Sequence, residues 1–326
     1  MTELRVRINM DCAPGGMELL TPGKTLCWEN VRFDFNPAEG GHADFSVVLG
    51  NARPRDRFTV APDNTLFIAG EPLSKKMYPQ AFYRQFGYVV DSHAESRHPH
   101  LFVSALGLNW HVGLDKRTNS YLYGYDYLTA LPSPEKQNRI SVVCSNADKT
   151  EGQRQRLRLL DGLKQRLGDR LVHFGRGFEP VEDKMDAILP YRFHLVLENS
   201  VLENYWTEKL ADAYLGWSYP VYLGCPNVAE YLPGKASLSI NNLDVDAAAD
   251  RIEKLLAVPL APEQINALEE ARSRILNVYN PFAWAAYWAR RLYKPGLEER
   301  QVTLRSHKAF RSNLRGYLFR VRQGMS

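Results

Sequence analysis

The 326-residue chain is poor in cysteine, with only Cys12, Cys27, Cys144 and Cys225 and no C-x-x-C pair. Such spacing points to neither a disulfide framework nor a zinc site, and a reducing cytoplasm is the simpler expectation. No N-x-S/T glycosylation acceptor occurs, as expected of a non-secretory protein. Long hydrophobic runs are also missing. The most membrane-like stretch, FAWAAYWA at 282–289, falls far short of the roughly 20 apolar residues a spanning helix needs. The opening MTELRVRINM is charged and turns at once into strand alternation, without the apolar centre of a signal peptide. Net charge is small: 41 basic against 37 acidic side chains leave +4, which makes no case for nucleic acid as a partner. That charge is unevenly placed. Residues 301–326 hold six Lys or Arg and no Asp or Glu, leaving −2 for everything before them. No D-x-D pair stands near a strand end, and LDVD (243–246) reads as the start of a helix, so no metal site is expected. What the chain does have is 44% hydrophobic and 24% charged residues, ordinary for a globular protein with a sizeable core, in a length that suggests two domains.

Short apolar runs broken by turn residues fill the first part. LRVRINM (4–10), DFSVVLG (44–50), TLFIAG (65–70), FGYVVD (86–91) and LFVSALGL (101–108) are strand candidates, and SYLYGYDYLTALPSPEKQ (120–137) reads as a connector. From residue 139 the pattern becomes regular. RISVVCS, RLVHFG, RFHLVLE, PVYLG and SLSIN are strands, and helices fall at 153–167, EDKMDAIL, NYWTEKLADAYLGW and VDAAADRIEKLLA. Two long helices, 261–279 and 281–293, follow. Such alternation predicts an α/β fold with a parallel sheet covered on both faces, and ligands bound outside the carboxyl ends of its strands.

The stretch 197–228, LENSVLENYWTEKLADAYLGWSYPVYLGCPNV, carries the most chemistry. A strand ending at Leu197 places Glu198, Asn199 and Ser200 at its carboxyl edge, and a loop with Tyr205 follows. Thr207 suits a helix N-cap, Glu208 answers the positive end of the helix dipole, and Lys209 suits a phosphate beside free backbone N–H groups. Spacing alone fits a capped helix with a solvated Glu–Lys pair equally well. The order of LENS, YWTEKLADAYL and PVYLGCPNV, with SVVCSN (141–146) upstream, resembles the donor-site signature of the glycosyltransferase family 10 fucosyltransferases. That signature comprises an F-E-N-S/T element, a Tyr before T-E-K, P-[IV]-x-x-G-x-P, and a V-x-S-N strand and loop leading to a helical arginine. The resemblance runs through residues 139–245; Leu197 stands where the family usually has Phe. Arg156 is the matching arginine if RLRLLDGL aligns with the family helix, and Arg154 is the alternative.

The resemblance implies a GT-B enzyme of bacterial type, with two Rossmann-like domains facing across a cleft. Residues 1–137 would be an acceptor-binding domain, 138–295 a GDP-sugar-binding domain and 296–326 a basic helical tail. It implies inverting transfer of L-fucose from GDP-fucose to a hydroxyl of a glycan acceptor, such as lipopolysaccharide or another surface polysaccharide, without an obligatory metal or cofactor. The family's donor contacts carry over to Arg156, Asn199, Tyr205, Glu208 and Lys209. Arg156 and Lys209 would neutralise the departing diphosphate, and Glu208 would hydrogen-bond the ribose or offset positive charge on the sugar. Inversion also needs a base. Glu71, in AGEP after the strand LFIAG, resembles the family's candidate, with Asp91, His93 and His111 in reserve. A transferase for another GDP-sugar and a non-catalytic nucleotide- or glycan-binding protein are the alternatives. In the tail, Phe310, Leu314, Tyr317, Leu318 and Val321 share one helical face, with Lys308, Arg311, Arg315 and Arg322 around it. Such a helix suits either an anionic membrane surface or packing on the first domain. The expected location is the cytoplasm, with peripheral contact to the inner membrane.

Overall fold

Short apolar runs in residues 4–103 produce eight strands: β1 (Leu4–Asn9), β2 (Cys27–Trp28), β3 (Val31–Phe35), β4 (Phe45–Leu49), β5 (Arg55–Val60), β6 (Thr65–Ile68), β7 (Tyr88–Asp91) and β8 (Leu101–Val103). All but β5 join one sheet in the order β2-β3-β1-β4-β6-β7-β8, parallel except where β2 meets β3. β4, β6 and β7 are buried at every residue, which is why they read as unbroken apolar runs rather than alternating ones. The one-turn helix α1 (Gln80–Tyr83) seats Phe82 edge-on against Phe67, 5.0 Å between ring centroids. The computed structural model describes residues 2–149, 151–240 and 244–322.

The chain then builds a second unit, residues 108–280. A small hairpin, β9 (Leu114–Asp115) with β10 (Ser120–Tyr121), leads through α2 (Tyr125–Ala130) to the first long strand, β11 (Gln137–Val143). There follow α3 (Glu151–Leu167), β12 (Leu171–Phe174), α4 (Lys184–Ile188), β13 (Tyr191–Leu197), α5 (Glu208–Leu215), β14 (Tyr219–Leu223), β15 (Leu238–Ser239), α6 (Val245–Leu256) and α7 (Pro262–Asn277). The five long and short strands from β11 onward form a parallel sheet ordered β12-β11-β13-β14-β15. Strand order therefore reverses between β11 and β13, and the crevice at their carboxyl ends is where an open α/β sheet takes a ligand. Leu159, Leu160 and Leu163 of α3 pack with Ala248, Ala249 and Ile252 of α6 over Ile140, Leu195 and Val221 of the sheet. Each fully buried Leu or Ile stabilises this layer by about 1.5–3 kcal/mol. Asp244 caps α6, accepting the amides of Asp246 and Ala247; Leu243 of LDVD lies outside the described residues.

The rest returns to the first unit, which comprises Met1–Gly107 and Pro281–Ser326. It contributes α8 (Pro281–Leu292), β16 (Arg300–Arg305) and α9 (Leu314–Arg322). The unit boundaries, 107/108 and 280/281, thus differ from the expected 137/138 and 295/296. The supposed connector is fastened inside the second unit: the Trp217 indole donates to the Leu131 carbonyl at 3.0 Å, and Lys136 Nζ donates to the Tyr191 and Gly216 carbonyls. FAWAAYWA belongs to the first unit because α8 is buried against its aromatics. Phe282 lies 5.2 Å from Phe33 and Trp288 4.8 Å from Phe102, centroid to centroid. The tail is not helical throughout. β16 pairs antiparallel with β5, from Arg300 opposite Val60 to Arg305 opposite Arg55, and Phe310 falls in a 3-10 turn before α9 rather than on the helix face. Residues 323–326 lie outside the described residues, among which no helix is long and apolar enough to cross a membrane.

Candidate functional site

Arg156, Asn199, Tyr205, Glu208 and Lys209 gather at the carboxyl end of the second unit's sheet, beside the β11/β13 switch point. β13 ends at Leu197, and its ladder runs one residue further, Glu198 N–H donating to the Leu223 carbonyl at 2.9 Å. The Glu198 carboxylate then turns inward. It accepts the Thr207 amide at 2.8 Å and the Thr207 hydroxyl at 2.9 and 2.8 Å. Thr207 caps α5, its oxygen accepting from Lys209 N–H. Glu198 is therefore spent on fixing the helix start, and it is Glu208 and Lys209 that the helix start presents.

Lys209 Nζ lies 3.0 Å from Thr207 Oγ1, 3.1 Å from Glu208 Oε1 and 3.4 Å from Glu198 Oε2. Asn199 is exposed and Tyr205 buried. The loop between them is clipped by Asn204, in the left-handed region at φ 57°. Its amide donates to Asn227 Oδ1 and its side-chain oxygen accepts from Asn227 Nδ2, both at 2.8 Å. This pair ties the loop after β13 to CPNV after β14.

Arg156, on α3, is buried and reaches the last carbonyl of β13, Nη1 to Leu197 O at 3.4 Å. Its Nε has no hydrogen-bond partner among the described residues. Arg154 instead faces outward, paired with Glu151 at 2.9 Å and donating to the Asp148 carbonyl. Of the two arginines, Arg156 is the one the fold brings to the strand edge.

Burial works against a charge on Glu208, but Lys209 and Lys184, with His111 when it is protonated, outweigh it and hold the carboxyl well below its usual range. Glu198 moves the other way: burial pushes it up, with Lys209 and the Thr207 donors pulling against it. Burial would also lower Lys209, yet Glu208 and Glu198 keep it above its ordinary value. His111 Nδ1 sits 3.8 Å from Glu208 Oε1. Burial pushes its imidazole down, with Lys184 and Lys209 adding to that shift and Glu208 and Asp212 opposing it. At Cys144, just past β11, burial raises the thiol while Arg156 and Lys209 pull it down, which places both cations near that strand end. A buried guanidinium with an unpaired N–H, next to an ammonium at a capped helix start, suits a multiply charged anion such as a diphosphate.

Two residues of this cluster were not singled out in the sequence. Asp212 pairs with Lys184 at 2.6 Å, and Lys184 Nζ stands 3.9 Å from Glu208 Oε1. Asp212 lies four residues after Glu208 on a helix, a spacing that placed it on the same face; Lys184, far away in sequence, gave no such signal. HFGRGF (173–178) is a plain turn, with Phe178 N–H donating to the Gly175 carbonyl and His173 stacked 3.7 Å from Phe178. A cavity of about 330 Å³ opens beside Gly113, Lys116, Leu122, Asp183 and Asp186, and none of the expected donor residues lines it.

Glu71 stands in the first unit, just beyond the carboxyl end of β6, half-buried and paired with Lys75 at 2.6 Å. Of the reserve bases there, Asp91 is fully buried. It accepts the Tyr83 hydroxyl at 2.9 Å and lies 3.3 Å from His93 Nε2.

Residues 133–259 match the family model described as "Glycosyltransferase family 10 (fucosyltransferase) C-term". The matched segment contains Arg156, Asn199, Tyr205, Glu208 and Lys209 and all of the motif stretch. A putative fucosyltransferase-like protein of Arabidopsis thaliana is 39% identical over 84 residues, 25% of this chain and 16% of that protein. The alpha-(1,3)-fucosyltransferase FucT of Helicobacter pylori is 34% identical over 76 residues, 23% of this chain and 16% of that protein. The chain thus spans about one sixth of the length of each of these two relatives. A crystal structure of an alpha1,3-fucosyltransferase with GDP aligns over 86% of this chain and 93% of that one, at 17% identity and a TM-score of 0.48.

Proposed function

We propose that the chain is a family 10 glycosyltransferase that moves L-fucose from GDP-fucose, with inversion, to a hydroxyl of a glycan acceptor. The observation that carries this reading is Arg156: a buried guanidinium with an unpartnered Nε at the end of β13, within the segment that matches the family model. The second unit would bind the nucleotide sugar, and the first would supply the acceptor side. When the sugar–phosphate bond breaks, its electron pair goes to the diphosphate oxygen. Arg156 and Lys209 neutralise that growing charge, while Asn199 and Tyr205 flank the donor. Glu208, kept ionised by its lysines, offsets the positive charge that develops on the sugar ring. Glu71, released from Lys75, takes the proton of the attacking hydroxyl. No metal or cofactor is needed for these roles.

For the acceptor we propose a surface glycan such as lipopolysaccharide, with a bacterial-type enzyme working in the cytoplasm at the inner membrane. The support is α9, where Leu314, Tyr317, Leu318 and Val321 are exposed in a stretch that also carries Lys308, Arg311 and Arg315. Thermal-shift and transfer assays test the donor reading. GDP should raise the melting temperature and UDP should not, and Arg156→Leu should abolish the GDP shift. Glu71→Gln should keep the GDP shift and lose transfer. Equal stabilisation by UDP, or turnover of another GDP-sugar in preference to GDP-fucose, would overturn it.

A further inference from the structure

Asp212, one turn beyond Glu208 on α5, is almost wholly buried and uses both carboxylate oxygens. Oδ2 pairs with Lys184 Nζ at 2.6 Å, and Oδ1 accepts the amides of His111 at 2.7 Å and Val112 at 3.0 Å. The next amide, Gly113 N–H, donates to Asp183 Oδ1 at 3.0 Å. Asp183 also caps α4 through the Met185 amide and accepts the Tyr123 hydroxyl. Three successive backbone N–H groups of 111–113 are thus held by two carboxylates, one on α5 and one capping α4. Gly113 has φ 74°, and a Cβ there would lie 2.8 Å from the Tyr123 carbonyl oxygen, so the turn requires glycine. The outcome is felt at one atom. Glu208 Oε1 faces Lys209 Nζ at 3.1 Å, His111 Nδ1 at 3.8 Å and Lys184 Nζ at 3.9 Å.

We propose that Lys184 and Asp212 are positioning residues for the reaction: their buried pair fastens the 111–113 loop and α4 to α5, and so fixes where Glu208 holds its carboxylate against the donor sugar. This rests on the reading of Glu208 as the sugar-facing group. The groups around Glu208 come from every neighbouring element. Lys209 and Asp212 share its helix, Lys184 comes from α4, His111 and Lys116 flank β9, Glu198 follows β13 and Tyr121 lies in β10. With Lys184 present, Asp212 is neutralised and Glu208 keeps a second cation. Without it, Glu208 loses that cation and also faces an unbalanced buried carboxylate. Since the Glu208 contact matters most as charge develops, its loss falls on kcat more than on KM.

The experiment compares the full-length wild type with Lys184→Met, Asp212→Asn and the double variant. In the double variant Asn keeps an oxygen for the two amides while both charges are removed. Two readouts are taken: a carbon-13 titration of the Glu208 carboxyl, assigned with Glu208→Gln, and pH profiles of kcat and KM for GDP-fucose. In Lys184→Met the Glu208 titration and the acid limb should both move to higher pH. Its kcat should fall by about tenfold to a hundredfold, with a smaller change in KM. The double variant should titrate between the two. An unmoved Glu208 titration in a folded Lys184→Met protein overturns the proposal. If that variant does not fold, the double variant decides, since Glu208 must still titrate above wild type. If the wild type transfers nothing from GDP-fucose, the donor reading fails, while the titration still judges the positioning claim.

Discussion

Replacing Thr207 with valine keeps the size and branching of the side chain and removes one hydroxyl on which three groups depend. That oxygen caps α5 by accepting from Lys209 N–H, donates to the buried Glu198 carboxylate at 2.8–2.9 Å, and accepts from Lys209 Nζ at 3.0 Å. Loss of a threonine cap costs about 1 kcal/mol. Depriving a buried carboxylate of a hydroxyl donor costs about 1–3 kcal/mol more. A total of about 2–4 kcal/mol in a unit of this size should lower its melting temperature by about 4–15 °C. The deficit should also depend on pH. Burial pushes the Glu198 carboxyl up against Lys209 and the Thr207 donors, so losing a donor pushes it further. A group raised in this way costs stability once pH climbs past its unfolded value, and the deficit of Thr207→Val should therefore widen from mildly acid to neutral pH. Calorimetry on wild type, Thr207→Val and Thr207→Ser decides the matter, the serine retaining the hydroxyl. A valine variant melting within about 1 °C of wild type, or a deficit that narrows as pH rises, would refute the assigned role of Glu198.

Other outcomes follow from the same geometry. Gly224→Ala would place a Cβ 2.2 Å from the Tyr222 hydroxyl and 2.7 Å from Glu198 Cγ; GDP binding and stability should fall together, measured by thermal shift with and without nucleotide. Asn204→Ala removes the side-chain half of the clip, the Oδ1 that accepts from Asn227 Nδ2, and puts alanine at φ 57°, at a cost of about 1–2 kcal/mol; GDP binding should weaken in calorimetric titration and the melting temperature should fall by about 2–8 °C. Phe282→Ala empties the contact of α8 with Phe33 and Phe35 and should cost about 3–5 kcal/mol in denaturant unfolding, with the second unit's GDP response retained. Arg154→Leu, at the outward-facing arginine, should leave GDP binding unaltered, in contrast to Arg156→Leu, as judged by calorimetric titration.

The alternating second half was legible because each buried parallel strand is an apolar run and each covering helix repeats Leu or Ala at helical spacing; the strands expected at RISVVCS, RFHLVLE and PVYLG are β11, β13 and β14. Thr207 as a cap was legible too, because capping is a local act between a side chain and amides two or three residues away. Local rules do not reach further. That Arg156 rather than Arg154 meets the strand edge depends on which face of α3 covers the sheet, a difference of half a turn that composition does not show. The same limit hid the return of α8 to the first unit and the pairing of β16 with β5, since their partners, Phe33 and β5, lie more than 200 residues away. The sequence by itself determined the alternation and the capped helix start. Only tertiary packing decided that Glu198 turns inward and that Lys184 and Asp212 meet beside Glu208, because a buried charge takes whatever partner the folded chain brings within reach.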